Sequence, residues 1–355
     1  MSGPMVTEAA PKPPLRGITA AKLLQTSYPP REFAIDPWLR TGESALIWAA
    51  TGVGKTWLTL SLALSMAGGG RVWEWKAPKA RKVLILDGEM NVQDLQERIN
   101  HLVISGAVDG LDREAMGANL LLMPRQYQDP RAQFYDITDP TSQERILREM
   151  ETSGAEVIII DNLTTCADGL ADENDATAFR SIMGFLLMMK QAGKTAIVVH
   201  HANKSGKDAR GSTALEATFE VKLGLERPPV EKPGEASFIT QFGKFRGRGN
   251  DSLRPRVWTL RGSGWDVQDD TGSADGRVLE AVRSLKFVNQ GQVAQALGMA
   301  QSSVSKALKR CVILGTAKQD EIDRLFISAR SLSGVAANPA GASDTVVTEE
   351  AADDF

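Results

Sequence analysis

Histidine, tyrosine and cysteine are scarce in this chain, at 3, 3 and 2 residues of 355. The cysteines, Cys166 and Cys311, stand far apart with no CxxC pair. So few histidines cannot complete a zinc ligand set, so neither a disulfide framework nor a zinc site is expected, and both cysteines read as small buried hydrophobes. Long apolar runs are also missing. The longest stretch without a charged residue, Thr56 to Gly70, is broken by Thr59, Ser61 and Ser65, and it falls short of the roughly 20 apolar residues of a bilayer span. The N-terminal MSGPMVTEAAPKPPLRG lacks the apolar segment of roughly 7–15 residues that a secretory signal needs, so a cytoplasmic location is expected. Charge is nearly balanced, with 41 Lys and Arg against 44 Asp and Glu and a net of −3. Any nucleic-acid contact must therefore come from a local basic surface. No segment repeats at a fixed period, which excludes a solenoid.

What is present describes a globular chain, 42% apolar and 24% charged, and at about 150 residues per domain its length suggests two domains. Residues 1–30 carry Pro4, Pro11, Pro13, Pro14, Pro29 and Pro30 and are expected to form a flexible arm. Residues 31–266 alternate short β-branched runs (SALIWA, KVLIL, EVIIID, TAIVVH) with helical patterns. Strands that are apolar throughout and separated by helices predict an α/β fold with a mostly parallel sheet covered on both faces. The polar stretch 267–276, VQDDTGSADG, is the expected linker, 277–330 a second small domain, and 331–355 a disordered acidic tail without Lys or Arg.

The segment Ser44-Ala-Leu-Ile-Trp-Ala-Ala-Thr-Gly-Val-Gly-Lys-Thr56 is a strand, a Gly-containing loop and the start of a helix. It matches the P-loop (Walker A) pattern with Ala49 in place of the first glycine. Gly52 and Gly54 let backbone N–H groups turn toward phosphate oxygens, the helix N-terminus adds its positive dipole, Lys55 neutralises the β- and γ-phosphates and Thr56 holds Mg²⁺. Nucleotide-binding positions are therefore Ala49, Thr51, Gly52, Val53, Gly54, Lys55, Thr56 and Trp57, with ATP and Mg²⁺ as the implied ligands. Asp161, closing the apolar strand Glu156-Val-Ile-Ile-Ile-Asp161, has the Walker B form and is the second metal position.

The residue after Asp161 is Asn162; proteins of the AAA+ branch carry Glu there, so that branch is disfavoured. The strand Lys82-Val-Leu-Ile-Leu86 instead runs into Asp87-Gly-Glu-Met90. Here the chain resembles the RecA-like hexameric helicases, including the DnaB and plasmid RepA types, in which a Glu after the second strand is the general base. The resemblance implies that role for Glu89, with Asp87 as its rival. It also implies a γ-phosphate sensor at the end of Thr195-Ala-Ile-Val-Val199, where His200 is favoured and His201 second. The following loop, with Lys204, Lys207 and Arg210, resembles the mobile DNA-binding loop of these motors, and its cations suit phosphate contacts without base readout. Lys244-Phe-Arg246 looks like the K-x-R element that reaches a neighbouring subunit's nucleotide, with Arg248 as an alternative finger. A finger supplied in trans makes hydrolysis depend on assembly.

Toward the C-terminus, Gln290–Leu297, a turn at Gly298 and Gln301–Cys311 have helix-turn-helix spacing, and TAKQDEIDRLFIS can supply two strands. The unit resembles a winged helix, whose second helix would present Gln301, Ser302, Ser305, Lys306, Lys309 and Arg310 to DNA; such domains also dock proteins. The resemblance as a whole implies a RecA-like P-loop ATPase acting as a homo-oligomeric, hexameric ring helicase on single-stranded DNA, of plasmid or phage replicative type. An ATP-gated replication initiator, regulator or recombination mediator without unwinding activity is the alternative.

Overall fold

The computed structural model describes residues 15–169, 176–202, 218–228, 233–234, 236–247, 249–270, 274–313 and 316–333. The chain divides into two units, 1–32 and 33–355. In the first, α1 (Ala20–Gln25) is capped by Thr19, whose hydroxyl accepts from the Lys22 N–H at 3.2 Å. All of 15–32 is exposed.

The second unit opens with a small ribbon, β1 (Phe33–Ile35) and β2 (Leu39–Arg40). There follow β3 (Ser44–Ala49), α2 (Lys55–Gly68), the ribbon β4 (Gly70–Val72) and β5 (Trp75–Ala77), β6 (Val83–Asp87), α3 (Val92–Ile104), α4 (Arg113–Asn119), β7 (Leu120–Pro124) and α5 (Pro140–Ser153). Next come β8 (Val157–Asp161), α6 (Ala176–Gln191), β9 (Thr195–His201), β10 (Val221–Glu226), β11 (Ala236–Phe245), β12 (Arg256–Arg261) and β13 (Gly264–Asp269). The main sheet has the order β13-β12-β11-β10-β3-β9-β8-β6-β7. From β10 to β7 every neighbour is parallel, and β11, β12 and β13 extend it antiparallel.

The expected α/β architecture with a mostly parallel sheet is the one the chain adopts. β3, β6 and β8 are buried at every position, because each face of the sheet has its own cover. Leu58, Leu62, Leu95 and Leu102 of α2 and α3 pack with Ile47, Ile85 and Ile159 on one side. Ile146, Met150, Phe185 and Met189 of α5 and α6 pack with Leu46, Leu84 and Ile160 on the other. Parallel strands of this kind end together, so Ala49, Asp87, Asp161 and His201 arrive at one edge of the sheet. The antiparallel extension is anchored by aromatic pairs, Trp38–Trp75 at 5.4 Å and Trp75–Trp258 at 4.7 Å between ring centroids, contacts that add specific ring geometry to large apolar burial. Both cysteines are buried and free, as their isolation implied.

The expected linker, wing and tail each differ in the structure, and residues 274–276 of that linker open the first helix of the C-terminal unit. Residues 267–269, assigned to a linker, belong to β13, where Val267 pairs with Trp258 and Gln268 with Val257. The C-terminal unit is four helices, α7 (Ala274–Arg283), α8 (Gln290–Leu297), α9 (Gln301–Ile313) and α10 (Gln319–Leu332). The helix-turn-helix pair is α8 and α9, joined at Gly298 with φ +63°. No wing follows it among the described residues, because the stretch expected to make two strands is α10. Buried Ile322, Phe326 and Ala329 have helical spacing, the Glu321 carboxylate accepts the Lys318 N–H at 3.3 Å, and acids fill the first turn, where the helix dipole favours them. Ser331 and Leu332, placed in the tail, are the end of this helix, and 334–355 lie outside the described residues.

Candidate functional site

The converging strand ends make a cleft lined by the loop after β3, the turn after β6 and the ends of β8 and β9. Gly52 and Gly54 take φ of +79° and +119°, a region that costs glycine little and other residues much. Gly54 is also sterically fixed, since a Cβ there would lie 2.8 Å from Ala236 Cβ. The chain then enters α2 with Lys55 as its first residue. Lys55 Nζ donates to the carbonyls of Ala49 at 3.0 Å and Ala50 at 3.2 Å and lies 3.4 Å from His201 Nδ1. Burial lowers its pKa, and Asp161 and Glu89 oppose that shift. Thr51, Gly52, Gly54, Thr56 and Trp57 line the cleft with it. The side chains of Ala49 and Val53 are in the core instead, so of these two positions only the backbone is left to face the cleft.

Asp161 is pushed up to about 7 by burial and by Asp87, while the Thr56 hydroxyl that hydrogen-bonds it and the Lys55 charge pull the other way. Asp87 is raised by its own burial, against the Met90 and Glu89 N–H groups, which its Oδ1 accepts at 2.8 and 2.9 Å. Those two bonds separate the rival carboxylates. Asp87 shapes the turn, and Glu89, exposed at the cleft wall, is held on it. Asp87, Glu89, Asp94 and Asp161 against Lys55 and Arg98 leave a local excess of acidic groups. One hydroxyl and one carboxylate in contact, Thr56 and Asp161, suit Mg²⁺ that arrives on nucleotide phosphates and keeps waters of its own. Among the described residues no group of three or more His, Cys, Asp or Glu could hold a metal ion by itself.

Asn162 is the residue whose role the sequence did not reveal. Its Nδ2 donates to Glu89 Oε2 at 2.5 Å and lies 3.3 Å from His201 Nε2. Its Oδ1 accepts the Thr165 N–H at 3.2 Å. His201, ranked second as sensor, is thus the histidine in the cleft. His200, ranked first, is 2% exposed and lies in register with Trp48 of β3. The reason is the pleat: consecutive strand residues point to opposite faces, and β9 sends His201 toward Lys55. Arg98 of α3 also lines the cleft, 5.0 Å from the centre of the Trp57 ring, as do Asn91 and Asp94, about two turns and one turn earlier. No motif pointed to them.

Lys244 and Arg246 are not at this cleft. β11 pairs with β10 so that Lys244 faces Lys222, and Lys222 faces Leu46 at the beginning of β3. The P-loop follows the other end of β3, about 10 Å or more away at 3.3 Å per strand residue. Arg246 lies 3.6 Å from Glu220 Oε1, and its N–H donates to the Glu220 carbonyl at 3.2 Å. Glu220 also receives Lys190 at 2.5 Å and the Ser44 N–H at 2.9 Å. Arg256 of β12 pairs with Asp269 and stacks on Trp73. Arg248, Lys204, Lys207 and Arg210 lie outside the described residues.

On α9, Gln301, Ser302, Lys306 and Lys309 are exposed and Ser305 is half-buried. Arg310, expected on the same DNA-facing surface, instead makes two bonds to the buried Asp275, at 2.8 and 2.5 Å. It sits one helical turn past Lys306 on the side packed against α7, and its charge is already matched.

The AAA domain family matches residues 9–207. At the position where the AAA+ branch carries Glu this chain has Asn162, and its cleft carboxylate comes from Glu89. No curated protein matches the chain significantly. Among solved structures it is similar to a KaiC-like protein from the hyperthermophilic archaeon Pyrococcus horikoshii OT3, at 15% identity and TM-score 0.47, over 66% of this chain and 93% of that one.

Proposed function

The chain belongs to the AAA domain family, and on that premise we propose that it is an ATP-hydrolysing oligomeric motor on single-stranded DNA, of the replicative helicase kind. The observation that carries this reading is the separation of two halves of one catalytic apparatus. The phosphate loop, Asp161, Glu89, Asn162 and His201 share a cleft, while Lys244 and Arg246, at the end of β11 and level with the beginning of β3, do not reach it, which supports a role for them at another copy's nucleotide.

In this reading the Gly52 and Gly54 N–H groups and Lys55 bind the phosphates, and Thr56 and Asp161 would hold Mg²⁺, which would supply neutralisation of phosphate charge. Glu89 accepts the proton of the attacking water. Asn162 keeps the Glu89 carboxylate in place and ties it to His201. A neutral imidazole accepts at one nitrogen only, so His201 can take a bond from Lys55 or from Asn162 but not from both, and a γ-phosphate that draws Lys55 away changes which one it takes. β9 carries that change directly into the segment with Lys204, Lys207 and Arg210. Lys244 and Arg246 of a neighbour complete the charge stabilisation, which makes turnover depend on assembly.

A second reading, an ATP-gated initiator, regulator or recombination mediator without unwinding, is favoured by the exposed Gln301, Ser302, Lys306 and Lys309 face of α9. Unwinding of a forked duplex by the full chain with ATP supports the motor. Site-specific duplex binding without unwinding supports the regulator and overturns the helicase.

A further inference from the structure

Arg227 follows the last residue of β10, the strand that runs beside β3 with Leu225 level with Ala49. From there its Nη2 donates to the main-chain oxygen of Thr51 at 3.1 Å. A Cβ added to Gly52 would lie 3.7 Å from the same nitrogen, so the guanidinium rests against the crown of the loop. Among the described residues the cis peptides are at Asp36–Pro37 and Asp161–Asn162, and the Thr51–Gly52 bond is trans. A planar trans peptide directs its N–H opposite to its C=O. A Thr51 carbonyl held outward on Arg227 therefore turns the Gly52 N–H toward the side of the loop where Lys55 and Thr56 line the cleft.

We propose that Arg227 is a positioning residue for the phosphate loop: by holding the Thr51 carbonyl it presets the Gly52 N–H for an incoming polyphosphate, and it acts on the phosphates and not on the nucleoside. The proposal rests on the nucleotide-site reading above and adds to it a residue from outside every P-loop motif. Preset donors do not have to be reoriented at binding, which lowers the ordering cost of the complex. Arg227 is exposed, so its replacement opens no core.

The test is calorimetric titration of the full chain with ATP and with inorganic tripolyphosphate, both in Mg²⁺, for the wild type, Arg227→Ala and Arg227→Lys, with a melting curve for each. Arg227→Ala should weaken both probes by the same factor, about tenfold for loss of a charge-assisted hydrogen bond, with Tm unchanged. Arg227→Lys should regain part of the loss, since one ammonium donor can reach a carbonyl. A loss confined to ATP would mean that the guanidinium touches the nucleoside and would overturn the proposal, as would unchanged binding of both probes. A wild-type chain that binds neither probe would overturn the nucleotide-site reading and the proposal with it, a failure visible before any variant is made.

Discussion

Asn162 Nδ2 lies 2.5 Å from Glu89 Oε2 and 3.3 Å from His201 Nε2. One amide thus joins the carboxylate assigned to proton abstraction and the imidazole assigned to sensing the γ-phosphate, residues that are 73 and 39 positions away in sequence. Asn162→Ala should leave ATP affinity near the wild-type value and lower kcat about 10–100-fold, by freeing Glu89 from its productive position. Steady-state kinetics with a separate nucleotide-binding titration checks this. A variant whose affinity falls and whose kcat holds would assign Asn162 to binding.

Glu89→Gln should bind ATP and fail to hydrolyse it, with a loss of about 10²–10⁴-fold expected for removal of a general base. Asp87→Asn should act differently, through the turn that its Oδ1 caps at Glu89 and Met90, so that part of its loss appears as lowered Tm. Normal turnover by Glu89→Gln removes that residue from the mechanism.

The two histidines should separate cleanly. His201→Ala removes a side chain at the cleft and should reduce hydrolysis without changing Tm. His200→Ala removes a buried one and should destabilise the fold by about 2–4 kcal/mol as a large-to-small core substitution. Parallel melting curves and ATPase rates decide; equal Tm for both variants would contradict the strand register argued here.

The ion cluster at the other end of the sheet carries a pH dependence. Burial alone would raise Glu220, but Lys190, the Ser44 N–H and Arg246 outweigh it and hold the carboxyl below its ordinary value. A depressed carboxylate contributes stability that is complete above the unfolded pKa, near 4.3 for Glu, and lost as pH falls through the folded value. Glu220→Gln should therefore lower Tm at pH 7 and converge on the wild type in acid. Tm differences that persist unchanged below pH 4 would show that the charge plays no part.

Much of this site was legible because its parts are local patterns. Ser44 to Thr56 reads as strand, loop and helix, and Asp161 and Glu89 sit at fixed offsets from apolar strands. What was not legible depends on neighbours in space. Whether His200 or His201 reaches Lys55 is decided by the pleat of β9 against β3, Asn162 acquires its partners only when β6, β8 and β9 end together, and Arg227 reaches Thr51 because β10 lies beside β3. The missing wing is another matter. Ile322, Phe326 and Ala329 already carry helical spacing behind Lys318 and Glu321, so the helix in this stretch is legible in its local pattern. Arg310 shows the same limit, since nothing local in QSSVSKALKR announces its pairing with Asp275.

The central claim is that hydrolysis needs a second copy. Arg246→Ala should bind ATP but lose turnover by about 10³-fold or more, as removal of an arginine finger does. Lys55→Ala should lose ATP binding, since it removes the charge that its cleft sets against the phosphates. The most direct measurement mixes these two inactive variants and follows ATP hydrolysis against total protein concentration, with and without a long single-stranded DNA. The account predicts recovered activity at hybrid interfaces, where an intact Arg246 from the Lys55→Ala copy meets an intact P-loop, with the rate per subunit rising with concentration and with DNA. No recovery at any mixing ratio, from variants that still associate, would contradict it.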